Sequence, residues 1–366
     1  MKKILIFLIL PLSLVSCKKN TENIVWEKSY GSGKAVFVKT MGDSGFVSCG
    51  EIEGKQYLLF TDKNSNKKFE YKSENQGVFT SLVEGDGYFI SAGSSGGKLV
   101  LSKIDLTGTV VWDSVFNSSF TVGYASLCSV GGGNFLAIGS ADPDSSITTT
   151  AGLSFVWFDG SGTISQKTDS VYSHYIAVKG AATDNSGNLY MAVTKTGSSG
   201  KLKAEVMKYN SDFQKLWEKE LYNNPAYGAA SQGLMLDADN LPIVTGRTEF
   251  AVPSGTEDNT FVARYFFKGD SLQKRYLEYA NSGSSVISDG AGGFIVLNSG
   301  CLVINLLDQN IKVLGFIRTY SSCDSKTTDS FGFSMDLTGD GNIVIAGSKG
   351  GGYYLAVKSA SAVSPV

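Results

Sequence analysis

Apolar and polar residues alternate along this chain in short units, and no long stretch carries the 3.6-residue period of a helix. One landmark is a turn rich in Gly, Asp or Asn followed by an apolar run that usually ends in Gly. It reads GDSGFVSCG (residues 42–50), GDGYFISAG (85–93), GGGNFLAIG (131–139), DNSGNLYMAV (184–193), DADNLPIVTG (237–246), DGAGGFIVLNS (289–299) and GDGNIVIAG (339–347). The copies lie about 42 to 54 residues apart, the spacing of a repeat architecture. Gly, Asn and Asp supply the positive φ that tight hairpins need, and the run behind each turn predicts a strand.

A second landmark falls between the turns: a run with Trp or another apolar residue that closes on an aromatic. Examples are VVWDSVF (110–116), KLWEKELY (215–222) and KRYLEYA (274–280), and the closing rings are Tyr71, Phe116, Tyr172, Tyr222, Tyr279 and Tyr320. With a strand ahead of the Gly turn (KAVFVKTM, 34–41) and one behind it (KLVLSKID, 98–105), each unit reads as four strands. The seventh Trp strand is missing near the C-terminus and present at the other end, where IVWEKSYG (24–31) matches KLWEKELY. The pattern predicts an all-β chain: a seven-bladed β-propeller of four-stranded blades, its last blade completed by the N-terminal strand. That arrangement removes the free sheet edge.

Composition agrees. The chain has 366 residues, 42% hydrophobic and 18% charged, with 43 Gly, 6 Pro and 11% aromatics. Plentiful Gly with aromatic and β-branched runs suits strands and turns. Length alone would suggest about two domains, but the repeats make residues 24–366 one propeller. A net charge of -2 gives no electrostatic case for nucleic acid.

The first residues carry a different signal. Lys2 and Lys3 precede an apolar run over residues 4–10, and Leu14-Val15-Ser16-Cys17 follows. A basic start, a short apolar region and small residues at a cleavage point make an export signal, too short to span a bilayer. The tetrad resembles the bacterial lipobox. That resemblance implies removal of residues 1–16 and acylation of Cys17, with residues 17–23 as a tether. Lys18 behind the Cys resembles the Gram-negative sorting rule for the outer membrane. Anchoring follows from several acyl chains at about 0.8 kcal/mol per buried methylene.

Four cysteines remain. Export permits disulfides, and Cys301 and Cys323 fall in one repeat, which makes them a candidate pair. Cys49 and Cys128 lie in apolar strands and read as small buried hydrophobes. The WEKSYGSG (26–33) and GDGYFISAG segments resemble the propeller repeats of secreted and lipid-anchored Bacteroidetes-type proteins. The likeness runs from residue 24 to the end and is degenerate in the middle blades. It implies the fold more than any activity, because such proteins are functionally mixed.

Catalytic patterns fail on inspection. Ser44 in GDSG has no partner His in the right context, since His174 is the one histidine. GSSGG (93–97) lacks the following helix of a nucleophile elbow. DLTGDG (336–341) lacks the ligands of a calcium loop. The expectation is no catalytic residue, no metal and no cofactor.

Extra residues gather in the connections between second and third strands and between units, which a propeller places on one face. These are residues 140–152, 246–260, 172–175 and 222–227. Long loops are the usual carriers of binding. The candidate ligand residues are therefore Asp142, Asp144, Tyr172, His174, Tyr175, Tyr222, Tyr227, Arg247, Glu249 and Phe250. Rings with amides and carboxylates suit sugars or protein loops. The competing expectation is that the recurring aromatics only plug junctions. The leading reading is a monomeric, non-enzymatic envelope lipoprotein, bound to the membrane through its lipid, that binds a protein or glycan partner. Alternatives are an outer-membrane assembly subunit and a carbohydrate-active enzyme using carboxylates.

Overall fold

The computed structural model describes residues 24–42, 45–141, 151–197, 199–222, 228–252, 255–266, 271–277, 283–299, 302–317, 330–359 and 364–365, with backbone alone at 250–252, 255–258, 271, 330 and 364–365. Cys17, Cys301 and Cys323 lie outside the described residues.

These residues form strands and turns, with no α-helix among them. The first group is β1 (Ile24–Thr40), β2 (Phe46–Ile52), β3 (Lys55–Thr61) and β4 (Lys67–Gln76). The second is β5 (Val78–Gly85), β6 (Tyr88–Ser95), β7 (Lys98–Asp105) and β8 (Val110–Phe116). The third is β9 (Tyr124–Gly131), β10 (Asn134–Ser140), β11 (Ala151–Asp159) and β12 (Ile164–Tyr172). The fourth is β13 (Ile176–Thr183), β14 (Leu189–Thr196), β15 (Leu202–Tyr209) and β16 (Lys215–Glu220). The fifth is β17 (Ala229–Leu236), β18 (Pro242–Val252), β19 (Gly255–Phe266) and β20 (Ser271–Leu277). The sixth is β21 (Gly283–Ser288), β22 (Phe294–Asn298), β23 (Val303–Leu307) and β24 (Val313–Ile317). Last come β25 (Ser330–Leu337), β26 (Ile343–Lys349), β27 (Gly352–Lys358) and β28 (Ser364–Pro365).

Within each group the strands pair antiparallel in chain order. The exceptions are β1 and β28. The first half of β1 pairs with β27, from Ile24 opposite Lys358 to Ser32 opposite Gly352, and its second half pairs with β2. This joins seven strands in the order β25-β26-β27-β1-β2-β3-β4. The short β28 adds to the outer edge of β24, making that sheet five-stranded; the other four sheets have four strands each.

The first strand of each group packs on the first strand of the next, from β1 through β5, β9, β13, β17 and β21 to β25, and β25 packs on β1. Side chains stitch these strands together. Thr80 Oγ1 donates to Ala125 O at 2.7 Å and accepts from Ala125 N at 3.0 Å. Ser231 N of β17 also donates to Thr194 Oγ1 on β14, the second strand of the preceding group, at 2.9 Å. Across the junction of the two chain ends, Thr40 N and Thr40 Oγ1 both donate to Asp336 Oδ2 at 2.8 Å.

Seven apolar clusters fill the spaces between neighbouring groups of strands. Alternate residues of a middle strand therefore bury in two different cores. In β2, Phe46 faces the cluster with Tyr353 and Leu355, while Val47 and Cys49 face the one with Phe79 and Phe89. That is why such strands read as unbroken apolar runs. The outermost strands have one wet face, and β8 alternates accordingly. Their tryptophans cover the next sheet: Trp112 lies 6.0 Å from Phe158 and Trp217 5.4 Å from Tyr265 between ring centroids. Trp26, on the half of β1 that pairs with β27, lies 5.8 Å from Phe46 of β2 between ring centroids. Its Nε1 also donates to Lys63 O at 2.9 Å.

The turns on one side share a device. In the hairpin after β7, Asp105 Oδ1 accepts from the backbone N of Thr107 at 2.8 Å and of Thr109 at 2.9 Å, while Gly108 takes φ 88°. The same five-residue loop follows β11 at Asp159, β13 at Asp184, β17 at Asp237, β21 at Asp289 and β23 at Asp308. These are Asx turns closed by a left-handed residue. In the segment that imitates a calcium loop, Asp336 turns to Thr40 and the hairpin is closed by Thr338.

The insert at 246–260 differs from the loop expected. β18 and β19 stay in register from Ile243 opposite Arg264 to Val252 opposite Gly255, so the extra residues lengthen a hairpin. Continuous backbone pairing satisfies the polar groups that a long loop would expose.

Candidate functional site

In the third group the slip between the first and second strands lies beside the hairpin turn, at Asn134 and Phe135; in the other six the pairing slips by one residue farther from it. These six slips lie between Ala35 and Phe37, Phe79 and Ser81, Val178 and Gly180, Ser231 and Gly233, Gly283 and Ser285, and Gly332 and Ser334. Each β-bulge inserts one unpaired residue and re-aims its side chain. The inserted residues are Val36, Thr80, Lys179, Gln232, Ser284 and Phe333. All six, with Tyr124 at the start of β9, line a central channel where an upper chamber of about 180 Å³ meets a lower one of about 280 Å³. They form a collar, one side chain per group.

The landmark glycines follow from the same geometry. A Cβ at Gly93 would lie 2.0 Å from Val78 O, and one at Gly347 would lie 1.9 Å from Phe331 O. The bulge swings the inner strand's carbonyl over that position, and only a residue without Cβ fits.

The collar differs in chemistry from one group to the next. Lys179 Nζ donates to Gln232 Oε1 at 2.6 Å and stands 5.9 Å from the centroid of the Tyr124 ring. Tyr124 OH donates to Thr80 O at 3.4 Å, and Ser284 Oγ to Leu297 O at 3.3 Å. Above the collar the chamber is walled by Lys34, Val78, Gly123, Arg247 and Ser299. Lys34, Lys179 and Arg247 are cations, and none of the described residues lining this chamber is acidic. The lower chamber reaches Lys39 and Asp336, and the far opening is bordered by Glu84 and Asp86. The channel is basic at the end where Val78 begins β5 and Gly123 precedes β9, and mixed at the end with the β5–β6 hairpin.

The structure distributes the residues expected from sequence. Arg247 lines the upper chamber and, with Glu249, Lys201 and Gly228, a neighbouring groove of about 230 Å³. Glu249 N donates to Gly228 O at 2.9 Å. Tyr172 ends β12 and meets His174 edge-on, centroids 5.4 Å apart. Tyr175 is buried in the cluster between the third and fourth sheets. Tyr222 is half-buried between the fourth and fifth, edge-on to Tyr276 at 6.5 Å. The rings thus belong to two separate junctions, and of the expected residues whose side chains are described Arg247 alone reaches the channel. Asp142, Asp144 and Tyr227 lie outside the described residues, and for Phe250 the backbone alone is described, opposite Glu257.

A second polar feature escaped the sequence reading. Glu205, 3% exposed, sits on β15 within 2.5 Å of Lys195 Nζ and 2.6 Å of Lys203 Nζ. Glu218 and Glu220 extend the network from β16. Burial pulls the Lys203 ammonium down, but Glu205 and Glu220 outweigh it and hold it above its ordinary value. The network is internally matched and spans three strands of one sheet. Among the described residues no group of three or more His, Cys, Asp or Glu could hold a metal.

No family model and no curated sequence matches this chain. Solved structures do. The WD40 β-propeller domain of Doa1 superposes with a TM-score of 0.59 at 12% identity, covering 92% of this chain and 97% of its own. The Neurospora crassa Pan2 WD40 domain gives 0.60 at 12%, covering 91% and 95%. The Dos1 propeller gives 0.55 at 12%, covering 89% and 78%. At this identity the likeness is one of fold alone: the chain is an all-β repeat protein with the β-propeller fold.

Proposed function

We propose that this chain is a non-enzymatic binding or scaffold module of the bacterial cell envelope. In this reading it is a ring of seven four-stranded blades, held to the outer membrane through acylated Cys17, and its upper face takes a protein or glycan partner. The collar carries the binding reading. Seven dissimilar, mostly half-buried side chains converge where no packing demand requires them, and concave sites with a few convergent polar groups are where ligands bind.

Support for the ring comes from β1. Divided at residues 31–33, the seven-stranded sheet becomes two four-stranded units, one closed by Ile24–Ser32 of the same strand. Support for the anchor is the Leu14–Cys17 tetrad. Ile24 pairs with Lys358, which also pairs with Ile343 beside the hairpin turns. A tether of residues 17–23, reaching at most roughly 25 Å, would leave from that side. The basic chamber would then open away from the bilayer. Support for a non-enzymatic role is that the one histidine packs on Tyr172 and that no nucleophile–base pattern occurs in the sequence.

Three measurements on the full chain in a Gram-negative host test this. Cys17→Ser should abolish palmitate labelling and membrane retention. Deleting residues 24–31 should lower the unfolding midpoint. Pull-down from envelope extract and a glycan array should return a partner that the Gln232→Ala/Phe333→Ala double variant no longer holds. An unchanged binding profile in that variant would remove the collar from the function.

A further inference from the structure

We propose that the junction between the fifth and sixth groups is a binding site for ordered water, held behind the collar by the side chains of Asn298, Asn305 and Thr260. The site is independent of whatever the channel binds.

Asn298 ends β22 and is fully buried. Neither its Oδ1 nor its Nδ2 meets a hydrogen-bond partner, and among the described residues it alone leaves two such atoms unpaired. Turning the amide over exchanges one unpaired atom for the other and gains nothing. Register brings two more unpaired atoms to the same place. Val303 stands opposite Asn298, so Asn305 of β23 is its diagonal neighbour, roughly 7–8 Å away; Asn305 Nδ2 is also buried without a partner. Thr260 of β19 is fully buried with its Oγ1 unpaired. The three side chains share one interior. Phe294 and Val296 of β22 pack on Ile243 and Val262 of the fifth group, and strand alternation turns Asn298 and Thr260 toward that same junction. Asn305 is opposite Val296 and takes the same face.

Gly283 closes the gap between the two groups. It pairs opposite Asn298, and a Cβ there would lie 2.2 Å from Thr245 Oγ1 and 2.7 Å from Thr260 Cγ2. The fifth group thus brings two hydroxyl side chains against the strand beside Asn298. Thr245 Oγ1 donates to Phe261 O at 3.1 Å, and its oxygen can still accept. The rest of the junction is filled by aliphatic and aromatic side chains, so the polar groups gather at one level.

Buried polar groups in native proteins are almost always hydrogen-bonded, to water where no protein group reaches them. A buried water typically makes about three such bonds. Asn298 supplies both donors and an acceptor, Asn305 a donor, and Thr260 a hydroxyl that serves as either. That mixture of neutral donors and acceptors suits water, which is both. The bulge supplies the way in. Ser284 and Ser299 line the upper chamber, and each directly follows a residue of the paired Gly283 and Asn298. Water enters from the channel past these two serines.

Oxygen-17 relaxation dispersion on the detergent-solubilised full chain, with a high-resolution crystal structure, tests this. The parent should hold at least one long-lived water within about 3.2 Å of the Asn298 amide and of Thr260 Oγ1 or Asn305 Nδ2. Asn298→Leu is similar in size and apolar. In a wet junction it strips the water of its main partner and strands Thr260 and Asn305, so the urea midpoint falls and the count of long-lived waters drops by one or more. In a dry junction it removes two unpaired buried atoms, and the midpoint rises. Thr260→Val should lower the midpoint by less and keep water on Asn298. Should Asn298→Leu fail to fold, the parent density and Thr260→Val decide. An unchanged or higher midpoint in Asn298→Leu, an unchanged water count, or density showing Asn298 bonded directly to protein with no water beside it overturns the proposal.

Discussion

Replacing Gly93 with alanine tests the bulge that builds the collar. Gly93 is a strand residue without positive φ, so its backbone accepts alanine. At an unstrained site the exchange stabilises by about 0.4–1 kcal/mol through the unfolded chain. Here the new Cβ meets Val78 O at 2.0 Å, Phe79 Cα at 2.7 Å and Val78 C at 2.8 Å. All three atoms are backbone, so β5 must move. Overpacking of this kind costs about 1–3 kcal/mol. Thr80 follows directly, and its two hydrogen bonds to Ala125 are each worth about 0.5–1.5 kcal/mol. The expected net loss is about 2–4 kcal/mol. In thermal unfolding followed by circular dichroism this is a fall of several degrees, given roughly 2–4 °C per kcal/mol in somewhat smaller proteins. Gly339→Ala, where nothing lies within 4 Å of the added Cβ, should stay within about 0.5 kcal/mol. A Gly93→Ala protein as stable as the parent would refute the close-approach account of the landmark glycines.

Tyr353 of β27 is fully buried, and its hydroxyl donates to Ser48 Oγ of β2 at 2.9 Å. Tyr353→Phe should lower the unfolding free energy by about 0.5–1.5 kcal/mol, read as a lower urea midpoint at unchanged slope, and no shift would mean the bond adds nothing. Burial raises the thiol pKa of Cys49 and pushes that of Cys128 up to about 12; neither should react with iodoacetamide at pH 8 until denaturant is added, and native labelling would contradict their burial. Hydrogen bonds from Thr107 and Ser161 hold the Asp105 and Asp159 carboxyls below their ordinary range. For Asp184, burial works the other way but is outweighed by Asn188, Ser186 and Lys208. A depressed folded value stabilises above the ordinary carboxylate range and is lost as pH falls through that value. The unfolding midpoint should therefore drop below about pH 4, less steeply in Asp184→Asn, and an identical acid profile in the variant would count against the turn.

Repetition and local chemistry were legible from the residues alone. An Asx turn is decided within five consecutive residues, by one carboxylate and one left-handed position, so DLTGT and DGSGT announce their hairpins wherever they stand. The alternation of the outer strands and the apolar runs of the middle ones declared an all-β protein in the same way. The match between IVWEKSYG and KLWEKELY marked Trp26 and Trp217 as ring-packing positions, and each meets an aromatic ring, Phe46 and Tyr265 respectively. The burial of Cys49 and Cys128 needed only their apolar surroundings.

The collar needed the tertiary structure. Whether Lys179 points into a core or a channel depends on a one-residue slip against β14, and a slip reverses the face of every following side chain. No local pattern specifies it, because it is a property of two strands and of the ring they face. The same holds for Tyr175, which reads as a loop aromatic until the third and fourth sheets close over it, and for residues 246–260, which read as a loop until β19 pairs along their length. Turn chemistry is carried by neighbours in sequence. The channel is assembled from residues tens to hundreds of positions apart, and their shared surroundings exist only once the sheets have packed.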